Sequence, residues 1–161
     1  SAFQTKFGGL VAKGLIDGEP VLLIKPMEFM NKSGFAIARA AQFYDVPPEK
    51  ILVLHDELDL PPARIRLKKG GGHGGNNGLR SIIEQLGSKD FLRIRLGIGK
   101  PAKANGELGE GSGANYVLSK FPANEEQSMV SAISQAADAA EAIVTTGMTA
   151  AMNNFNGVSP S

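Results

Sequence analysis

A chain of 161 residues with a hydrophobic share of 42% is long enough for one domain with a proper core and short for two. It contains no cysteine, which excludes disulfides, thiolate chemistry and cysteine-based zinc sites and fits a reducing compartment. No apolar run approaches the roughly 20 residues that cross a bilayer, and no basic-then-apolar leader pattern is visible. The net charge of +1 hides an asymmetry: residues 64–103 carry ten Lys/Arg against Glu84 and Asp90. A basic middle on a nearly neutral protein points to a local polyanion site.

In chain order, residues 7–26 read as a hairpin, with Asp17-Gly18 as the turn and Pro20–Ile24 as a continuously apolar second strand covered on both faces. Phe29-Met30-Asn31 precedes an amphipathic helix to about Tyr44, which Val46-Pro47-Pro48 stops. Ile51–Leu54 is short and wholly apolar, the pattern of a central strand in a covered sheet. Arg64–Lys68 alternates basic and apolar residues, a strand with one wet, positive face. The glycine loop 70–75 follows, then a helix to Leu86 with Asn77 as N-cap and Gly87 as its end.

Phe91–Ile98 alternates again, with Arg93 and Arg95 on one face and Leu92, Ile94 and Leu96 on the other. The glycine-rich stretch 99–114 is too long for a routine connection. After the short apolar piece 116–121, Asn124 and Gln127 form a capping box for the longest helix. Its expected core stripe is Met129, Ile133, Ala136, Ala137, Ala140, Ile143 and Val144, with Gly147 at its end and a short helix over 148–155 beyond. Strands alternating with helices predict a single α/β domain with a mixed β-sheet between helices.

The chemistry is staged between Ile51 and Ile83, which holds both histidines, His55 and His73. His55-Asp56-Glu57 follows directly on the apolar strand, and ligands of open α/β sheets bind at strand C-terminal ends. Asp56 and Glu57 leave a strand on opposite sides, so one of them faces a given site. A metal needs convergent ligands, and the basic strand nearby opposes a cation, so no metal or cofactor is expected. Gly70, Gly72 and Gly75 fit a G-x-G-x-x-G spacing, but the strand before them ends in Arg-Leu-Lys-Lys rather than a buried run, which argues against dinucleotide binding. Bare backbone N–H groups, a helix start and Lys68-Lys69 in one place suit phosphate instead. Asn31, in an apolar setting, needs a partner or a ligand.

Four stretches in order, Lys25-Pro-Met-Glu-Phe-Met-Asn-Lys-Ser-Gly34, His55-Asp-Glu-Leu-Asp-Leu-Pro61, Gly70-Gly-Gly-His-Gly-Gly-Asn-Asn-Gly-Leu79 and Arg93-Ile-Arg-Leu-Gly-Ile-Gly-Lys-Pro101, resemble the bacterial-type peptidyl-tRNA hydrolases. The resemblance covers nearly the whole chain. It implies that family's mixed-sheet α/β fold and hydrolysis of the ester joining a peptide to the 3′ end of tRNA, recycling tRNA during translation. A histidine acts there as general base on water and the aspartate matching Asp56 holds it, with Asn31 and Asn77 completing the catalytic set. Phe29, Met30, Asn31, Lys68, Lys69, His73, Gly74, Asn77 and Arg95 are implied to bind peptide or tRNA, the cations through phosphate. The implied partner is peptidyl-tRNA, with no membrane, a monomer, in the cytoplasm.

The family pattern also has an Arg-His-Asn segment carrying the catalytic histidine, which is expected upstream of Ser1 together with a first strand and helix. The 161 residues alone are expected to be inactive and poorly stable. His55 lies beside Asp56 on a strand, so the two side chains should diverge, and His73 matches the glycine-loop histidine rather than the base. Asn76 stands where the family usually has histidine. The alternatives are a catalytically silent tRNA or RNA binder on the same fold and a nucleotide-binding oxidoreductase; Asn31, Asp56 and Asn77 together favour the esterase.

Overall fold

The computed structural model describes residues 2–27, 32–99 and 123–156, with the backbone alone over 123–127. It divides into two units, 1–52 with 69–92 and 53–68 with 93–161. Strands and helices alternate along the chain, which is the α/β class expected.

In the first unit, β1 (Gln4–Lys6), β2 (Gly9–Ile16) and β3 (Glu19–Pro26) form an antiparallel sheet in that order. Lys6 pairs with Gly9 and Ile16 with Glu19, so each connection is a two-residue turn. Both turns have positive φ at both centres: 60° and 85° at Phe7-Gly8, 51° and 82° at Asp17-Gly18. That geometry matches the twist of a hairpin and favours Asp-Gly, which the sequence advertises. Phe-Gly does not, and Phe7 reads as strand by composition. Arg39 Nη1 donates to the Phe7 carbonyl at 2.9 Å, and the Phe7 ring packs against Phe43 and Tyr44 at 5.5 and 6.1 Å between centroids. These contacts offset the strain of a left-handed phenylalanine. The two-sided cover expected for the second strand is not found. Leu23 is 54% exposed, because β3 alternates in and out as a one-sided antiparallel strand does.

Helix α1 (Ser33–Tyr44) ends where Asp45 turns left-handed at φ 56° and Val46 N donates back to Ala41 O at 2.8 Å. It packs on α2 (Asn77–Leu86) through small residues, with Ala36 and Ala40 buried on one side and Leu79, Ser81 and Ile82 on the other. Gly34 is where the two backbones meet. A Cβ there would stand 2.1 Å from the Ser81 carbonyl oxygen, and Gly34 N donates to Ser81 Oγ at 2.9 Å. Asn76, not Asn77, is the N-cap of α2: its Oδ1 accepts from Leu79 N at 3.0 Å. The expectation missed by one residue because adjacent asparagines offer the same cap chemistry. Gly87, at φ 70°, closes the helix as expected.

The second sheet has the order β4 (Leu52–Glu57), β6 (Leu92–Gly97), β5 (Ile65–Lys69). Ile51–Leu54 was expected at the centre of a covered sheet. Among the described residues it flanks β6 instead, and Leu54 is 54% exposed. Among the described strands β6 lies between the other two, and its Ile94 is fully buried and its Arg93 is buried too. An alternating pattern cannot separate a half-wet strand from one covered on both sides when its basic residues are arginines with long apolar stems. Gly97 sits under the 60–64 turn, where a Cβ would lie 2.0 Å from Pro61 O, and its N–H donates to Arg64 O at 2.7 Å.

Helix α3 (Ala123–Thr146) and α4 (Met148–Asn156) meet at Gly147, at φ 93°, whose N–H donates to Ile143 O. The buried seam of α3 is Met129, Ala132, Ala136 and Ala139. Ile133 is 56% exposed and Ala137 is exposed, so the broad stripe expected there is rotated by one position. The seam steps by three and four residues through alanines, a narrow line suited to close approach. The capping box at Asn124 and Gln127, the 100–114 part of the glycine-rich stretch and the apolar piece 116–121 lie outside the described side chains.

Candidate active site

Three acidic and imidazole side chains leave the end of β4 in sequence, and the structure separates their duties. Glu57 is committed: Arg95 Nε donates to its Oε1 at 3.1 Å and Asp59 N to its Oε2 at 3.3 Å. Asp56 points away from that pair by strand alternation and is half-buried. Its carboxylate takes no hydrogen bond from another described residue. His55 turns its Nδ1 onto the Asp56 carbonyl at 2.8 Å rather than onto a carboxylate. Burial holds the His55 imidazole below its ordinary range, against the raising effects of that hydrogen bond and of the Glu57 and Asp56 charges; Arg93 pushes the same way as burial. The expected divergence of the His55 and Asp56 side chains is what an alternating strand produces.

On β5, Leu67 is buried while Arg66 and Lys68 on either side of it are exposed, so the wet positive face is present. Lys69, the last residue of the strand, is exposed as well. Arg95 differs. It is half-buried on β6 with its Nε spent on Glu57, which leaves only its remaining guanidinium nitrogens for phosphate. Arg93 was not singled out, and it is buried; desolvation, and then the charge of Arg95, lowers its pKa.

In the other unit, four glycines of the loop have φ between 58° and 105°, which is why the sequence repeats glycine there. His73 Nδ1 accepts from Gly75 N at 2.9 Å, which leaves the ring proton of the neutral form on Nε2. Asn76 N donates to His73 O, closing a turn directly before α2. Gly74 is exposed at the tip, and Asn77 is exposed in the first turn of α2 with its side chain not used as the cap. Phe29, Met30 and Asn31 lie outside the described residues. Among the described residues no group of three or more metal-ligating side chains converges.

The family model described as Peptidyl-tRNA hydrolase matches residues 1–161. A peptidyl-tRNA hydrolase of Nocardia farcinica is 44% identical over 155 residues, 96% of this chain and 77% of the relative. One of Histophilus somni is 45% identical over 154 residues, 95% and 76% of the two chains. The solved peptidyl-tRNA hydrolase of Acinetobacter baumannii superimposes with a TM-score of 0.88 at 39% identity, over 99% of this chain and 79% of that one. Sequence along the whole chain and backbone geometry agree, and this chain belongs to the peptidyl-tRNA hydrolase family.

Proposed function

We propose that this protein hydrolyses the ester between the peptide and the 3′ end of tRNA in peptidyl-tRNA. A histidine other than His55 and His73 takes a proton from water, the water oxygen adds to the ester carbonyl carbon, and the bond to the ribose oxygen breaks with that oxygen taking a proton. Asp56 accepts from the other ring nitrogen of that histidine and fixes its tautomer. Asn31 and Asn77 supply neutral amide donors to the ester and to the oxyanion that develops on it. Phe29 and Met30 line the peptide side, while Lys68, Lys69, Arg95 and the loop around His73 and Gly74 grip phosphate.

The observation that carries this reading is the division of labour at the end of β4. Glu57 is neutralised by Arg95, while the neighbouring carboxylate of Asp56 stays open to an imidazole. We propose further that the protein works as a monomer in the cytoplasm; the lack of cysteine fits a reducing compartment. No helix of the described residues is long and apolar enough to cross a membrane.

The test is incubation of the full-length protein with peptidyl-tRNA, following free tRNA and released peptide carboxylate. Release of both supports the esterase. Salt-sensitive binding without release identifies a silent tRNA binder and overturns it.

A further inference from the structure

Glu57 is held by its backbone and by both carboxylate oxygens. Its carbonyl accepts from Ile98 N at 3.1 Å, its Oε2 from Asp59 N at 3.3 Å and its Oε1 from Arg95 Nε at 3.1 Å. The first bond ties the end of β4 to the chain just past β6, and the 60–64 turn is tied to the same stretch. Ala63 N donates to Gly97 O at 3.1 Å, Gly97 N to Arg64 O at 2.7 Å and Gly99 N to Leu60 O at 2.9 Å. A Cβ at Gly97 would collide with Pro61 O, so the two segments meet backbone to backbone. Glu57 thus projects from a closely tied frame. Arg95 is the opposite kind of side chain, a charged head on a long stem with many rotamers. It is held at Nε, the guanidinium nitrogen nearest the stem. The fork of Nη1 and Nη2 points away from an Nε–H contact, so Glu57 fixes the guanidinium plane without covering that fork.

We infer that Glu57 is a positioning residue for the phosphate grip: its Oε1 holds Arg95 Nε–H and so aims the Nη1 and Nη2 fork at a tRNA phosphate. The inference rests on the reading of Arg95 as a phosphate contact. A fork already aimed loses less side-chain freedom on binding and meets the phosphate oxygens in the bidentate geometry that guanidinium favours. Glu57 also opposes binding, because its negative charge repels phosphate and offsets a positive charge of the site. Charge and position therefore predict opposite signs for its removal.

Binding of deacylated tRNA to the full-length protein reads that sign. Glu57→Ala makes the site more positive, so charge alone predicts tighter binding. The inference predicts affinity weaker by about threefold to tenfold, the effect of one side chain that must be ordered on binding. Glu57→Asp keeps the carboxylate and its charge but draws it back by one carbon from Arg95 Nε, and is expected to weaken binding by a similar factor. Parental or tighter affinity in either variant overturns the inference. In an Arg95→Ala background, Glu57→Ala is expected to weaken binding no further, because no guanidinium is left to aim. A loss that persists there at full size marks a merely structural role and overturns the inference. Arg95→Ala alone separates the layers. Parental tRNA affinity there overturns the reading of Arg95 and this inference with it. A loss there beside parental affinity in Glu57→Asp overturns this inference alone.

Discussion

The side-chain amide of Asn156 brackets the backbone of Leu67, accepting from Leu67 N with Oδ1 at 2.8 Å and donating to Leu67 O with Nδ2 at 2.8 Å. One asparagine at the end of α4 thus supplies both hydrogen bonds that a neighbouring strand would give at that rung. It does so on β5, the strand that displays Arg66 and Lys68.

Asn156→Ala leaves both backbone groups of a buried residue without this partner and is expected to cost about 2–3 kcal/mol. Asn156→Asp keeps the acceptor for Leu67 N but sets a carboxylate oxygen against Leu67 O, so it does not rescue. Chemical denaturation measures both, and an alanine variant within about 0.5 kcal/mol of the parent contradicts the bracket.

Gly34 and Ser81 make a second stability test. Alanine for glycine within a helix ordinarily gains about 1 kcal/mol. Here the added methyl would stand 2.1 Å from Ser81 O, so Gly34→Ala is expected to lose about 2 kcal/mol or more by forcing α1 off α2. Ser81→Ala removes only the Oγ that Gly34 N donates to and is expected to cost about 1–2 kcal/mol. A stabilised Gly34→Ala would contradict the close approach.

The pH dependence follows from His55. Its folded pKa lies below the ordinary 6.5, so the unfolded chain binds the proton more readily than the folded one. The stability this neutral ring contributes is fully present above 6.5 and is lost as pH falls through the lower folded value. The charges of Glu57 and Asp56, which favour the protonated ring, and of Arg93, which opposes it, set the remaining field. The slope from this one site is at most about 1.4 kcal/mol per pH unit. Urea melts between pH 7 and 5 should show His55→Asn with a shallower decline than the parent; identical slopes contradict the buried neutral ring.

Much of this was legible in the sequence because local chemistry dictates it. Asp17-Gly18 has one good conformation, Gly87 and Gly147 end helices, and the basic-apolar alternation of β5 survives as Leu67 buried between exposed Arg66 and Lys68. What failed to show depended on tertiary context. The Phe7-Gly8 turn needs Arg39 and two distant rings to hold it. The rank of β4 and β6 within their sheet is set by pairing partners, which composition does not name. At the site, the adjacency of Asp56 and Glu57 was visible, but the partner that removes Glu57 from consideration, Arg95, lies 38 residues further on.

Lys68 and Arg95 should separate when tRNA binding is measured against salt. Lys68→Ala is expected to raise KM with little change in kcat and to reduce the slope of log affinity against log salt by about one. Arg95→Ala also releases Glu57 beside Asp56 and is expected to lower kcat as well as binding. A Lys68 variant with an unchanged salt slope would remove that lysine from the phosphate grip.

The central claim is that Asp56 orients the imidazole that activates water, and single-turnover cleavage of saturating peptidyl-tRNA by Asp56→Ala tests it most directly. The account predicts a rate lower by about a hundredfold to ten-thousandfold with tRNA affinity within about threefold of the parent. A variant that cleaves at the parental rate, or one that loses affinity and rate together, contradicts it.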